Sequence, residues 1–127
     1  MSSYPENLEM SKLRSALKAF TQEREWAPFH TSKNLAMALS VEASEIIEIF
    51  QWLTPEQSQN LSEKQRMHLA EEVGDVMIYL TLLAANHGLD PVECAKQKMV
   101  ENAKKYPADQ ARGQATFNLD SAVEART

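Results

Sequence analysis

Glycine is scarce in this chain, three residues in 127, and none falls in a run that would wrap a phosphate with backbone N–H groups. Phosphate chemistry, if present, must rely on side chains and bound cations. Cysteine is scarcer still. Cys94 stands alone, so it forms no internal disulfide, and a reducing compartment such as the cytoplasm fits. With no base near it in sequence, Cys94 reads as a packing residue. No apolar run approaches the ~20 residues of a membrane span. The opening MSSYPENLEM lacks the basic and apolar regions of a signal peptide. An excess of positive charge is also missing, since the formal net charge is −5. A globally acidic surface argues against broad electrostatic binding of a nucleic-acid polymer. Finally, no stretch alternates as a half-buried strand would.

What remains is helical. Hydrophobic residues make up 43% and charged residues 24%, a balance suited to one soluble domain with a modest core. From Asn7 to Arg24, the residues Leu13, Ala16, Leu17 and Phe20 recur at helical spacing. Pro28 breaks that helix, and Thr31 or Ser32 is the next N-cap. A second helix follows from about Lys33 to Leu53. Thr54-Pro55 stops it, with Pro55 suited to the first turn of a short helix. Ser62-x-x-Gln65 has the form of a capping box and opens a third long helix that ends at Gly88. Asp90-Pro91-x-Glu93 opens a fourth, ending before Pro107. The pattern predicts an all-α, four-helix-bundle-like domain over residues 1–106 and an irregular tail or arm over 107–127. Within the third long helix, VMIYLTLLAA is apolar almost all round, which predicts an oligomer whose partner subunits supply part of its cover.

Carboxylates interrupt the apolar faces of the two middle helices. On a wheel of about 100° per residue, Leu35, Leu39, Ile46, Ile49 and Leu53 form one stripe. Glu42 falls near the middle of it and Glu45 along its edge, whereas Glu48 lies on the solvent side. On the third long helix, Leu69, Val73, Val76, Leu80 and Leu83 make the stripe. Glu72 and Asp75 share one flank of it, with Tyr79 a turn beyond, and Glu71 points elsewhere. Spacings of this kind are common on wet helix faces. An inward ionised carboxylate, however, is costly unless paired or bound to a metal, and no matching basic cluster is evident. Hard cations with a preference for oxygen, Mg²⁺ above all and Mn²⁺ as an alternative, would supply the charge. No His stands at ligand spacing within either motif, which argues against zinc and a di-iron centre. Phosphoryl transfer or phosphoanhydride hydrolysis is the chemistry such a cluster suits.

Other residues carry two readings each. Lys98, Asn102, Lys105 and Tyr106 share one face of the fourth helix, either as donors to phosphate and sugar or as a solvated basic helix end. Trp26, Phe29, His30 and Trp52 either stack on a planar base or pack as core and interface. Gly74, within the ExxD motif, admits a close helix neighbour or leaves room for a ligand. His68 and His87 have no identifiable partners.

Glu42-x-x-Glu45 followed by Glu72-x-x-Asp75 resembles the ExxE…ExxD signature of the MazG-like, all-α nucleoside triphosphate pyrophosphohydrolases. REWAPFHTSKNLAMALSVEASEIIEIFQW, EEVGDVMIYL and KMVENAKKYP look most similar to the dCTP pyrophosphatase branch, and the resemblance spans about Phe20 to Asn118. It implies that Glu42, Glu45, Glu72 and Asp75 bind Mg²⁺. It implies that pyrophosphate is released from a deoxynucleoside triphosphate, dCTP or a modified dCTP, in nucleotide-pool sanitation. A water activated by Mg²⁺ and by one of the acids, Glu45 in our reading, would attack the α-phosphorus. Base contacts would come from Trp26, His30 and Trp52. Phosphate or sugar contacts would come from Tyr79, Lys98, Asn102 and Tyr106, with Lys105 standing where relatives carry Arg. The resemblance also implies a homodimer or homotetramer. Two alternatives stay open: a dUTP or phosphoribosyl-ATP pyrophosphohydrolase of similar design, and a non-catalytic helical oligomer that binds nucleotide or protein.

Overall fold

The computed structural model describes residues 8–114, which contain α-helices and no strand. The helices are α1 (Leu8–Glu23), α2 (Ser32–Phe50), α3 (Pro55–Ser58), α4 (Glu63–Ala85), α5 (Pro91–Lys105) and α6 (Ala108–Ala111), with a 3₁₀ turn at Ala27–Phe29. Helix starts follow the local chemistry. Thr31 caps α2 by accepting from Asn34 N at 3.2 Å. Thr54/Gln57 and Ser62/Gln65 both form complete capping boxes, opening α3 and α4; each box satisfies two backbone donors that a helix start leaves orphaned.

Two helices end in Schellman motifs. At the end of α4, Gly88 takes the left-handed conformation (φ 65°), and Leu89 N donates back to Ala84 O at 2.9 Å. At the end of α1 the same position is held by Glu25 (φ 54°), a residue with a side chain where glycine is usual. There Trp26 N donates to Thr21 O at 3.0 Å and Glu25 N to Gln22 O at 3.1 Å. The motif brings its outer residue back over the last turns of the helix. Accordingly, Trp26 meets Phe20 edge-on, with ring centroids 5.7 Å apart. Arg24 covers the Phe20 ring, its guanidinium carbon 3.5 Å from the centroid.

The described residues fall into two compact units, one running to Pro91 and one starting at Val92. In the first, α2 and α4 make the most extensive contact and α1 packs on α4. The α2/α4 pair is antiparallel, since Ser32 at the start of α2 touches Asn86, the residue that ends α4. Leu35 is fully buried between the elements, at 2% exposure. Along α2, Leu39, Glu42, Glu45, Ile46 and Ile49 are sheltered while Glu48 is exposed, as the wheel predicts; the helix ends at Phe50, three residues short of the expected Leu53. On α4 the rotation differs from the expected stripe. Glu72 and Thr81 are buried and Asp75 and Tyr79 half-buried, whereas Val73 and Leu80 are exposed together with Met77. Leu69, Val76 and Leu83 of the expected stripe are half-buried, so the polar flank turned inward together with part of the apolar stripe; a helix apolar almost all round gives periodicity little to aim with.

The second unit contains α5 and α6. Ala108–Ala111 is a helical turn inside the segment expected to be irregular, and residues 115–127 lie outside the described ones. Cys94 on α5 is exposed and so is not the packing residue it was read as. No described helix is long and apolar enough to cross a membrane.

Candidate metal centre and adjoining aromatic cavity

The antiparallel pairing sets which residues of α2 and α4 face each other. From the Ser32/Asn86 contact, Glu45 on α2 and Glu72 on α4 each lie about 20 Å along their helix at ~1.5 Å per residue. The two acidic pairs therefore meet at one level. One carboxylate oxygen from each of Glu42, Glu45 and Glu72 lies within 4.8 Å of the others, forming a group able to hold a metal ion. Glu72 is only 6% exposed, while Glu42 and Glu45 are half-buried. The Oε2 atoms of Glu42 and Glu72 are buried without a hydrogen-bond partner. Orphaned anionic oxygens are costly in a protein interior unless something outside the chain satisfies them. The oxygen-only donor set fits a hard divalent cation.

Crowding of like charge shows in the proton affinities. The Glu42 carboxyl is pushed up to about 7 from an ordinary 4.5. A hydrogen bond with Glu72 is the largest cause, followed by burial and by Glu45 and Asp75. Burial comes first for Glu72, raised further by Glu45 and partly offset by its bond with Glu42. Two carboxylates at one site cannot both ionise freely without a counter-charge. His68, left without a partner by the sequence, stands one helical turn before Glu72, its Nε2 3.5 Å from Glu72 Oε1. The i,i+4 spacing was the available signal.

Asp75 falls outside the three-carboxylate group but acts on it electrostatically. It also lines a neighbouring cavity of about 340 Å³ with Phe20, Trp26, His30, Ile78 and Tyr79 among its walls. That volume lies in the range of small-molecule sites. Trp26 and His30 meet edge-on, centroids 6.2 Å apart. Acids and aromatic cavity thus adjoin through Asp75. Phe20, absent from the sequence-level candidates, joins the cavity through the helix-end motif that places Trp26 over it. A second cavity, about 480 Å³, shares Leu17, Thr21, His30 and Leu82 with the first.

Trp52 is 87% exposed and is not among the residues lining the aromatic cavity. Phe29 is also exposed. Lys98, Asn102 and Lys105 lie on α5, with Tyr106 directly after it, all in the second unit. At Gly74, a Cβ would meet no atom within 4 Å, so no close neighbour within the described residues requires the glycine. His87 also has a partner, since its Nε2 lies 2.8 Å from Ser32 Oγ.

Comparison with known proteins places these features in company. A family model described as MazG-like matches residues 37–116, a span that includes all four acids. The dCTP pyrophosphatase 1 of Bos taurus is 36% identical over 113 residues, covering 87% of this chain and 67% of the relative. That of Homo sapiens is 39% identical over 105 residues, covering 81% and 62% respectively. The chain spans about two thirds of the length of these relatives. A pyrophosphatase from Archaeoglobus fulgidus, solved by crystallography, superposes with a TM-score of 0.74 at 36% identity, covering 82% of this chain and 97% of its own.

Proposed function

The chain belongs to the MazG-like family, and from that premise we propose that it hydrolyses a deoxynucleoside triphosphate, dCTP or a modified dCTP, to the monophosphate and pyrophosphate. The role that follows is nucleotide-pool sanitation. One observation carries the reading: three converging carboxylates, two of them with an orphaned oxygen, stand beside an aromatic cavity of nucleobase size. A triphosphate needs positive charge at one end and a stacking surface at the other.

Glu42, Glu45 and Glu72, with Asp75 at the border of the cavity, would hold Mg²⁺. When bound, that ion offsets charge on the phosphate oxygens and lowers the pKa of a coordinated water. The chain's own residues do the rest. Glu45 accepts the proton of the attacking water. An oxygen–phosphorus bond forms at the α-phosphorus as its bridge to the β-phosphate breaks, and pyrophosphate leaves. Trp26 and His30 wall the base while Tyr79 bounds the same cavity. On the family resemblance, Trp52 adds a base contact, and Lys98, Asn102, Lys105 and Tyr106 serve phosphate and sugar.

The exposed apolar row of Val73, Met77 and Leu80 on α4 supports assembly as a homodimer or homotetramer. Light scattering that returned a monodisperse monomer would reject that assembly. The lone exposed thiol of Cys94 suits the reducing cytoplasm. Incubation with each dNTP and with dUTP, plus Mg²⁺, tests the activity by product identity. Monophosphate with pyrophosphate from a cytosine nucleotide supports it; diphosphate with phosphate, or no turnover, rejects it.

A further inference from the structure

The segment that carries Trp26 and His30 contains a single 3₁₀ turn, with little internal structure to fix its place. Phe29 N donates to Trp26 O at 2.9 Å and His30 N to Ala27 O at 3.1 Å. Two side-chain amides hold it from outside. Asn34, in the first turn of α2, donates from Nδ2 to Phe29 O at 3.0 Å. Asn86, capping the far end of α4, donates from Nδ2 to His30 O at 3.2 Å and to Ser32 Oγ at 3.3 Å. Ser32 in turn shares a 2.8 Å hydrogen bond with His87 Nε2.

The bond from Asn86 is the informative one, because it crosses 56 residues of chain. It joins the aromatic segment to the helix that carries Glu72, Asp75 and Tyr79. We infer that Asn86, supported by Ser32, is a positioning residue. It sets where His30 and Trp26 stand relative to α4, and so sets the width of the base cavity without touching the base through its own hydrogen bonds. The inference rests on the proposed nucleotide reading for its kinetic consequence, though not for its structural one. The last turn of a helix leaves carbonyls that a side-chain amide donor could satisfy, yet Asn86 Nδ2 turns away from them. Both amide bonds from Asn86 are spent on the other segment.

Asn86→Asp tests this, since it keeps the shape and removes both N–H donors, leaving an oxygen against the His30 carbonyl. Loss of such a bond predicts a rise of roughly tenfold in KM for the preferred dNTP, with kcat within about twofold. The Mg²⁺ half-saturation and the inhibition constant of inorganic tripolyphosphate, which has no base, should stay unchanged. Ser32→Ala should give the same pattern more weakly, and it serves if the first variant fails to fold. KM unchanged, or a parallel loss in tripolyphosphate affinity, overturns the inference. Wild-type turnover in the same assay separates the two ideas, because its absence rejects the nucleotide reading alone. The structural consequence is read without turnover. In NMR spectra of Asn86→Asp, the Trp26 indole N–H should shift while that of Trp52 stays in place, and an unmoved Trp26 signal overturns the inference whatever the activity.

Discussion

The middle and the end of the α2/α4 pair treat their polar groups in opposite ways. At the end, Asn86 and His87 each bond Ser32 Oγ, and Asn86 also donates to the His30 carbonyl. In the middle, Glu42, Glu45 and Glu72 crowd together, and two of their oxygens find no partner in the protein. Hydrogen bonds completed within the chain fix position. Polar groups left incomplete store a cost that an external ligand can relieve. The same two helices therefore supply a rigid joint at one level and a receptive site about 20 Å away.

The comparison breaks first, if it is wrong, at Glu72. Glu72→Gln keeps the shape and removes one crowded negative charge. Activity should fall by on the order of 100-fold or more, since even outer partners of metal ligands cost 10–100-fold. The metal-free protein should at the same time melt at a higher temperature, because the like-charge crowding is relieved. A variant less stable than the wild type without metal would show that the middle of the pair is held together like its end.

The pH dependence of the metal-free protein sharpens the same contrast. Folding raises the Glu42 carboxyl to about 7 from 4.5, so the folded state binds this proton more tightly than the unfolded chain. The resulting stabilisation is complete below the unfolded value and is lost as pH climbs through about 7. Melting temperature without metal should thus decline from about pH 5 to about pH 8. Added Mg²⁺ should raise it more at the upper end, where protons no longer compete for the carboxylates. A metal-free profile flat across that window counts against the crowded carboxylates.

Local signals in the sequence read well. The caps at Thr31 and Ser62 stand where the sequence offers them, and the inward course of Glu42 and Glu45 against the outward Glu48 follows from helical angle alone. The rotation of α4 did not, because a helix apolar almost all round offers no preferred face until packing chooses one. Glu25 was equally hidden. Its left-handed backbone is what folds Trp26 over Phe20, yet nothing about a glutamate announces that conformation. Contacts between distant segments, such as Asn86 to His30, have no local trace at all. His68 beside Glu72 does have one, in its i,i+4 spacing just outside the motif.

The smallest test concerns Gly74, between Glu72 and Asp75 on the helix that carries half of the acids. Glycine inside a helix costs roughly 1 kcal/mol relative to alanine, so its presence there asks for a reason. Space is not that reason within the described residues, since an added methyl would touch nothing within 4 Å. Gly74→Ala should therefore stabilise an isolated subunit by about 1 kcal/mol, measured by denaturant unfolding, and leave the Mg²⁺ half-saturation as it was. Loss of oligomer in the same variant would locate the missing neighbour on a second copy of the chain. Loss of activity with the assembly intact would mean instead that the acidic site needs a supple helix, and that the receptive middle of the pair differs from its rigid end in backbone as well as in charge.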